Sequence, residues 1–501
     1  MNAQPVFEKI NYLRQSGEYK DQIKVECKTD VAVSDVINVL SVSAFISPNE
    51  IEIKEGQIEH GGKAMFYIAY VDKDGEIKKA ECGTEFSGVI KDRKITENSR
   101  AEVCYLVEKT EADTAGVKLS VTAYITARAE VLEKCEKDAL VTGEGLVVDT
   151  VEIPHLKSLG VRQSNYPIEE EFELDYSVKE VLYHRAEGVI TSVQCGVGTI
   201  IVDGETQIDL IVLQKAEKSG IIKESRKIPF RAEIECEDAM PSTEATAKVK
   251  EKSFKTEVMV DENTGKSTVV VSTLLKFYGE AYSTDTMVLA KDVFSTSMQT
   301  ETEQERICYY KPKAQRAEFL SATGRAVVGE LPVGANLMAI GGERVEIIST
   351  ECDGEKLKIL GVVSGTGYFF DGESKVFTRK IEFTFEQEKE LSIPCEWVLE
   401  VSARVKSVQA KIVTLTELDV SAEIVLTVYP KEKCEISFIK SVNCIGEKKG
   451  QSSAISVYIP EEGEELWTLA KRLSVSPEKL IETNKELCFP LTGKERIVIY
   501  R

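Results

Sequence analysis

The sequence lacks any apolar run long enough to cross a membrane, because Lys, Glu and Asp interrupt every such stretch. The first residues, from Met1 to Lys9, also lack the basic and apolar regions of a secretory signal peptide. Asn2 stands where N-myristoylation requires a glycine. The sequence therefore predicts a chain without a transmembrane segment that is made and kept inside the cell.

Positive charge is also scarce. The chain carries a formal net charge of −21 over 501 residues. Since neutralisation of phosphate groups supplies most non-specific affinity for nucleic acids, this balance argues against a nucleic-acid partner. It argues equally against adsorption of the whole surface onto anionic lipid. A basic or mixed protein surface is the kind of partner that the charge permits.

Metal ligands and catalytic motifs are sparse as well. The three histidines, His60, His155 and His184, lie far apart, and none of the twelve cysteines forms a C-x-x-C pair. Neither a metal site nor a cofactor is therefore predicted, and the cysteines are expected to be buried reduced thiols. The chain has neither a G-x-S-x-G nor a G-x-x-x-x-G-K-S/T pattern. We therefore expect a protein that is not an enzyme.

The sequence does contain a pattern that recurs three times. In each copy an apolar stretch leads, at nearly constant spacing, to a glycine, and a turn and then an aromatic residue follow. The glycines are Gly61, Gly204 and Gly361, the turns are Asp74-Gly75, Ser219-Gly220 and Asp371-Gly372, and the aromatic residues are Phe86, Phe230 and Phe383. The copies lie too far apart for a solenoid, so they indicate repeated domains.

The copies alternate apolar with polar residues and are rich in Val, Ile and Thr, which is typical of strands with one buried face. Their short connections indicate antiparallel, sandwich-like units. The predicted fold class is mainly β, with three tandem β-sandwich-like repeat domains. The predicted ranges are an N-terminal segment 1–19, repeats 20–132, 166–291 and 326–430, joining segments 133–165 and 292–325, and a polar linker 431–454.

The end of the chain changes to helical periodicity. One face of the first predicted helix consists of Leu466, Leu469, Ala470 and Leu473. Ser476 is the predicted N-cap of a second helix, with Pro477 at its first position. A short strand on either side completes a βααβ module, predicted over 455–501.

The segment Gly463-Glu464-Glu465-Leu466-Trp467-Thr468-Leu469-Ala470, followed by Asn484 and a closing strand, resembles the LysM domain. The family usually has Asp-Thr in place of Glu464-Glu465 and Ile in place of Leu469. LysM domains bind N-acetylglucosamine polymers in a groove between the loop before the first helix and the loop after the second. The resemblance implies a binding site made by Gly463, Glu464, Glu465, Asn484, Phe489, Pro490 and Leu491.

Two further interpretations of this module stay open. The carboxylates of Glu464 and Glu465, at the edge of the groove, weaken the expectation of sugar binding and favour a basic protein surface. Leu466 and Trp467 are alternatively interpreted as simple core residues of the module.

The three upstream copies resemble the SPOCS repeat of spore coat proteins from spore-forming Gram-positive bacteria. SPOCS repeats followed by a LysM domain imply a non-enzymatic scaffold of spore coat assembly, in the mother-cell cytoplasm at the forespore surface. The resemblance further implies that the LysM domain docks on the coat basement-layer ATPase SpoIVA, with other coat proteins as partners. The alternative is a cell-wall protein that binds peptidoglycan or N-acetylglucosamine through its LysM domain.

Overall fold

A computed structural model describes residues 4–215, 220–353, 355–373, 375–391, 393–394, 396–448 and 455–500. Strands make up 77% of the structure and helices 4%, so the prediction of a mainly β chain is confirmed. Some predicted features lie outside the described residues. They are positions 1–3 of the N-terminal segment, Ser219 of the second turn, positions 449–454 of the polar linker and Arg501 of the module.

Residues 4–144, here called unit 1, form two antiparallel sheets and a single turn of 3-10 helix, Val33–Asp35. The strands are β1 (Gln4–Ala32), β2 (Val36–Pro48), β3 (Glu52–Lys54), β4 (Gln57–Asp72), β5 (Ile77–Lys91), β6 (Ser99–Asp113) and β7 (Lys118–Glu144). One sheet has the order β1-β7-β6. In the other, β4 is central and pairs with β2, β3 and β5.

Residues 147–294, called unit 2, form six strands. They are β8 (Val147–Leu174), β9 (Val178–Cys195), β10 (Thr199–Gln214), β11 (Ile221–Glu235), β12 (Glu244–Asp261) and β13 (Lys266–Phe294). The sheet orders are β8-β13-β12 and β9-β10-β11. As in unit 1, the last strand pairs with both the first strand and the strand before it, and the remaining strands form the second sheet.

Residues 298–447, called unit 3, follow the same order with a divided first strand. The strands are β14 (Met298–Pro312), β15 (Arg316–Val327), β16 (Asn336–Asp353), β17 (Lys356–Phe370), β18 (Val376–Glu390), β19 (Val398–Ile412) and β20 (Glu417–Glu447). β14, β15 and β19 all pair with β20, and the second sheet has the order β16-β17-β18.

The two sheets of each unit pack against each other because period-two alternation gives each sheet one apolar face. In β13, for example, Val269 and Val271 are buried, whereas Val270 between them faces the other side and is half-buried. Fully buried residues of these cores include Phe66 and Val121 in unit 1, Phe172 and Phe277 in unit 2, and Ile359 and Ile424 in unit 3.

The segments predicted to separate the domains are largely paired strands, which corrects the predicted organisation. The start of β1 pairs with the end of β7, the start of β8 with the end of β13, and β14 with the end of β20. The first part of the predicted polar linker 431–454 thus belongs to β20, which continues as far as Glu447. A two-stranded ribbon exposes most of its side chains. Its sequence therefore shows less of the apolar alternation by which strands are predicted.

These pairs are called ribbon 1 (4–19 with 129–144), ribbon 2 (147–158 with 282–294) and ribbon 3 (298–312 with 431–447). Except at their inner ends, where 129–133 also pair with β6, Tyr282 with β12 and Lys431 with β19, the ribbons have two strands. An isolated two-stranded ribbon is marginally stable in water, and here the three pack on one another. Their shared core contains Ile10 and Ala139 of ribbon 1, Leu289 of ribbon 2, and Ile307, Tyr309, Ile436 and Phe438 of ribbon 3.

A second core is also shared by all three units. It lies between the sheets built on β4, β10 and β17. The buried residues are Leu40, Ala69 and Ile77 of unit 1, Leu182, Ile211, Leu213 and Ile221 of unit 2, and Ala339, Tyr368 and Val376 of unit 3. The units are therefore parts of one continuous body.

Charged side chains also connect the three units. Lys248 of unit 2 lies 2.9 Å from Glu102 of unit 1 and 3.4 Å from Glu400 of unit 3. Lys431 lies 3.0 Å from Glu400 and 3.2 Å from Glu130 of unit 1. Burial opposes ionisation of Glu102, but the adjacent lysines outweigh it and lower the pKa of Glu102 to about 2.

The recurring glycines lie on the central strands of the units. Gly204 pairs with Phe230, and Gly361 pairs with Phe385. The aromatic residue of the third copy is thus Phe385 and not the predicted Phe383. Both side chains are buried, because residues two apart on a strand share a face, so the sequence alone did not distinguish them.

In unit 1 the equivalent glycine is Gly62, which pairs with Phe86, and the predicted Gly61 is one residue off. At Gly62, Gly204 and Gly361 a Cβ atom would meet a carbonyl oxygen of the preceding strand at 2.5, 2.1 and 2.9 Å respectively. Adjacent residues of a strand point to opposite faces of the sheet. Only one of the two adjacent glycines of unit 1 can therefore be equivalent to the glycines of the other two units.

We predict that Gly204→Ala lowers the stability of the chain by about 1–3 kcal/mol, because the added methyl group would overlap the Val189 carbonyl oxygen and the Phe230 ring. The matched control is Gly446→Ala in β20, where a Cβ would meet no atom within 4 Å. This control should be neutral or stabilising by up to about 1 kcal/mol. Denaturant unfolding followed by circular dichroism measures the stability of both variants. Equal losses of stability would contradict the close packing described for Gly204.

Candidate functional site

The C-terminal module comprises residues 455–500. Its elements are β21 (Ile455–Tyr458), α1 (Leu466–Leu473), α2 (Pro477–Thr483) and β22 (Ile497–Tyr500). β21 and β22 pair antiparallel, with Ile455 opposite Tyr500. The predicted start of the second helix is confirmed, since the Ser476 hydroxyl accepts a hydrogen bond from the Lys479 backbone and Pro477 follows it.

The module has its own small core. The helices pack on one face of the two-stranded sheet through the buried residues Leu469, Val475, Leu480, Leu491, Ile497 and Ile499. Leu466 is half-buried and packs against this cluster, whereas Trp467 is not part of it. Of the two predicted core residues, Leu466 therefore lies against the core of the module and Trp467 lies elsewhere.

The two loops predicted to border a groove do come together. The Gly463 amide donates to the Leu491 carbonyl at 2.7 Å, and the Leu491 amide donates to the Glu464 carbonyl at 3.0 Å. Gly463 has φ +81°, a left-handed conformation that glycine adopts without strain. The loops are thus joined by main-chain hydrogen bonds where Gly463 and Leu491 meet.

Three of the seven predicted site residues serve the fold of the module. The Glu464 side chain is buried and pairs with Arg472. The Asn484 amide group donates to the carbonyls of Leu480 and Val498 at 3.0 and 2.8 Å, and its oxygen accepts from the Val498 amide at 2.8 Å. Leu491 is buried in the core. The amide of Asn484 and the side chain of Leu491 are therefore already used within the module, whereas Glu464 uses Oε2 and its buried Oε1 has no hydrogen-bond partner among the described residues.

The other predicted site residues form the outer rim of the joined loops. Gly463, Glu465 and Pro490 are exposed, and Phe489 is half-buried against the module core. The following turn is fixed by hydrogen bonds from the Thr492 amide and hydroxyl, which lower the pKa of Glu495 to about 2. The rim is rigid, with a small apolar edge at Phe489 and Pro490.

An apolar surface that was not predicted from the sequence lies on the outer face of the module sheet. Ile455, Val457, Ile459 and Tyr500, here called the apolar stripe, are between 52% and 65% exposed. The signal was present in the sequence, since Ile455, Val457 and Ile459 alternate with other residues. Alternation of this kind indicates a strand but does not tell which of its faces is turned to solvent.

The opposite side of the module contacts ribbon 2, and this contact is called the seam. The Trp467 Nε1 donates to Asp292 Oδ2 at 2.8 Å, and the Lys471 Nζ donates to both Asp292 oxygens at 2.6 and 2.7 Å. Burial alone would raise the pKa of Asp292, but these hydrogen bonds outweigh it and lower that pKa. The Trp467 ring also packs edge to face on Phe294, with ring centroids 5.3 Å apart.

The end of ribbon 3 completes the seam. The Lys448 Nζ donates to the Ser295 carbonyl and to the Ser474 hydroxyl, both at 2.7 Å. Burial lowers the pKa of Lys448. Ser474 ends α1 in a left-handed conformation with φ 56°, which turns its hydroxyl group into reach of Lys448. The module is thus held by ribbons 2 and 3 together.

Elsewhere the described residues form two concave regions of very different size. A small, partly open cavity between units 2 and 3, next to Gln207 and Arg404, holds about 10 Å³, which is room for one water molecule. A shallow, open depression on unit 3, next to Gly324, Gln409 and Asp419, holds about 570 Å³. Over the described ranges, no group of three or more His, Cys, Asp or Glu side chains could hold a metal ion. A helix long and apolar enough for a membrane span is not found in the part of the chain that the structure describes.

Comparison with known proteins gives no relative for this chain. No family model, no curated protein and no solved structure matches it. The family membership suggested by the sequence motifs therefore stays a prediction, and function is inferred from the residues and their geometry.

We predict that Asn484→Ala destabilises the module by about 1–3 kcal/mol, because it removes the side-chain partner of the Val498 amide and carbonyl and one of the two hydrogen bonds to the Leu480 carbonyl. Lys485→Ala, at the adjacent exposed position, is the matched control and should be close to neutral. Thermal unfolding followed by Trp467 fluorescence, in a chain with Trp397→Phe, reports on the module. An unchanged transition in Asn484→Ala would show that Asn484 is available for a ligand.

Proposed function

We propose that this chain is a non-enzymatic scaffold of spore coat assembly, whose LysM-like module docks on the basement-layer ATPase SpoIVA. The apolar stripe carries this proposal. Exposed apolar patches on soluble proteins mark contact surfaces, and four large apolar side chains side by side on one small sheet make such a patch. The opposite side of the module is already occupied by the seam, so the stripe is the side left for a partner.

The upstream body supports the scaffold part of the proposal. The same strand order recurs in units 1, 2 and 3, in support of three SPOCS-like, β-sandwich-like repeats. Because the units share two apolar cores, they form a rigid support for the module. Such a body would hold other coat proteins at fixed distances from the ATPase, in the mother-cell cytoplasm at the forespore surface.

Charge supports a protein partner more than a glycan. Glu461, Glu462 and Glu465 are exposed around the joined loops of the module. Carboxylates at the rim of a contact attract a basic protein surface and increase the rate of encounter with it. A neutral sugar polymer gains no such charge attraction from them.

Peptidoglycan binding is the second candidate, and the rim of the loops is the observation that favours it. Phe489 and Pro490 give an apolar edge next to the exposed backbone of Gly463. Apolar contact with a sugar face, beside main-chain polar groups, is the chemistry that an N-acetylglucosamine polymer requires.

The proposal predicts that Val457→Asp, in the middle of the stripe, reduces capture of purified SpoIVA by about tenfold or more, since it puts a charge into a desolvated contact. Ile481→Asp is the matched control, because Ile481 is an exposed apolar residue of the same module, on α2 and outside the stripe. It should leave capture unchanged.

Two results would reject this proposal. One is undiminished capture by Val457→Asp, and the other is undiminished capture by a chain that lacks 455–501. Co-sedimentation with purified peptidoglycan tests the second candidate. If the chain binds peptidoglycan, and this binding is lost in Phe489→Ala and kept in Val457→Asp, the ligand is a glycan and not the ATPase. A tagged chain should gather at the forespore surface during sporulation.

A further inference from the structure

The three ribbons share one local feature. In each, the long strand that closes the unit contains a β-bulge, after Leu140 in β7, after Ala290 in β13 and after Ile439 in β20. These three residues are fully or almost fully buried in one small cluster. The three bulges are therefore equivalent positions, although β7 and β13 end close to them, at Glu144 and Phe294, whereas β20 continues to Glu447.

The residue directly after the bulge distinguishes the three ribbons. It is Thr142 in ribbon 1, Asp292 in ribbon 2 and Ser441 in ribbon 3. A bulge changes the direction of the next side chain, so these residues hold corresponding places in the three ribbons. Of the three, only the residue of ribbon 2 carries a carboxylate, and ribbon 2 is the ribbon that receives α1 of the module.

The contact at this position is built around the carboxylate. Both oxygens of Asp292 accept from Lys471, and one also accepts from Trp467. Hydrogen bonds between charged groups are stronger and more directional than those between neutral groups. A threonine or serine hydroxyl could accept from one of these donors and could not neutralise the ammonium group. The corresponding positions in ribbons 1 and 3 therefore offer a poorer seat for α1.

We propose that Asp292 is a positioning residue that selects one of the three equivalent bulges as the seat of the module and thereby fixes the orientation of the apolar stripe. The consequence for binding rests on the proposed function. A partner that engages both the stripe and the body would then meet a preformed arrangement and would not have to immobilise the module.

The test uses the full chain with Trp397→Phe, in which Trp467 is the remaining tryptophan. Asp292→Asn keeps the shape of the side chain and removes its charge. We expect it to raise the open fraction of the module by about tenfold to a hundredfold, the range for loss of charged hydrogen bonds. Acrylamide quenching of Trp467 and a longer maximum dimension in X-ray scattering measure this opening. Asp138→Asn, an exposed carboxylate of ribbon 1, is the control and should change neither.

Two further variants separate positioning from a general loss of structure. Lys471→Met removes the same ion pair from the module side and should open the seam to a similar extent. The charge exchange Asp292→Lys with Lys471→Asp should restore part of the protection from quenching, which a merely misfolded ribbon would not do.

Two results would overturn the proposal. One is that the protection of Trp467 from quenching is unchanged in both Asp292→Asn and Lys471→Met. The other is that the exchange variant recovers none of this protection. These measurements need no partner. Their outcome is therefore independent of whether the chain captures the ATPase, and failure of this proposal can be told apart from failure of the proposed function.

Discussion

The structure depends on one constraint, which is that each two-stranded ribbon has an apolar face that it cannot bury alone. Ile10 of ribbon 1, Leu289 of ribbon 2 and Phe438 of ribbon 3 are distant in sequence and buried in one cluster. Burial of apolar side chains is the dominant favourable term in folding, so the ribbons stabilise one another or are not stable at all. The strands that form them run on into the sheets of their own units, and the common core therefore joins all three units.

Charge gives this arrangement its specificity. Lys248 and Lys431 each contact carboxylates from two units, and replacing one of them would leave partly buried carboxylates without a counterion. The seam follows the same rule. There Asp292 occupies the position that uncharged residues occupy in the other two ribbons. Apolar burial brings the parts together, and charged pairs determine which of several similar surfaces meet. The chain is thus a single support that carries its module in a defined place, with the stripe uncovered.

The sequence allowed the mainly β character and the two short helices to be predicted, because both depend on local periodicity and capping. Ser476 with Pro477 is an example. The sequence did not allow the ribbons to be predicted, since their burial depends on partners in other units. The role of Trp467 could not be predicted either, because its ring packs on Phe294, which is far away in the chain. The seven predicted site residues lie on the loops that were expected. Which of them serve the fold, as Asn484 does, could be decided only from their hydrogen bonds.

The central claim is that the three ribbons share one core, and hydrogen exchange of Phe438→Ala tests it most directly. Phe438 is a residue of ribbon 3, and its replacement leaves a cavity in the common cluster. Amide exchange should become faster in ribbon 3 and also in 4–19 and 129–144 of ribbon 1 and in 147–158 and 282–294 of ribbon 2, because local opening now involves all three. Faster exchange confined to ribbon 3 would show that the ribbons are independent and would contradict this account.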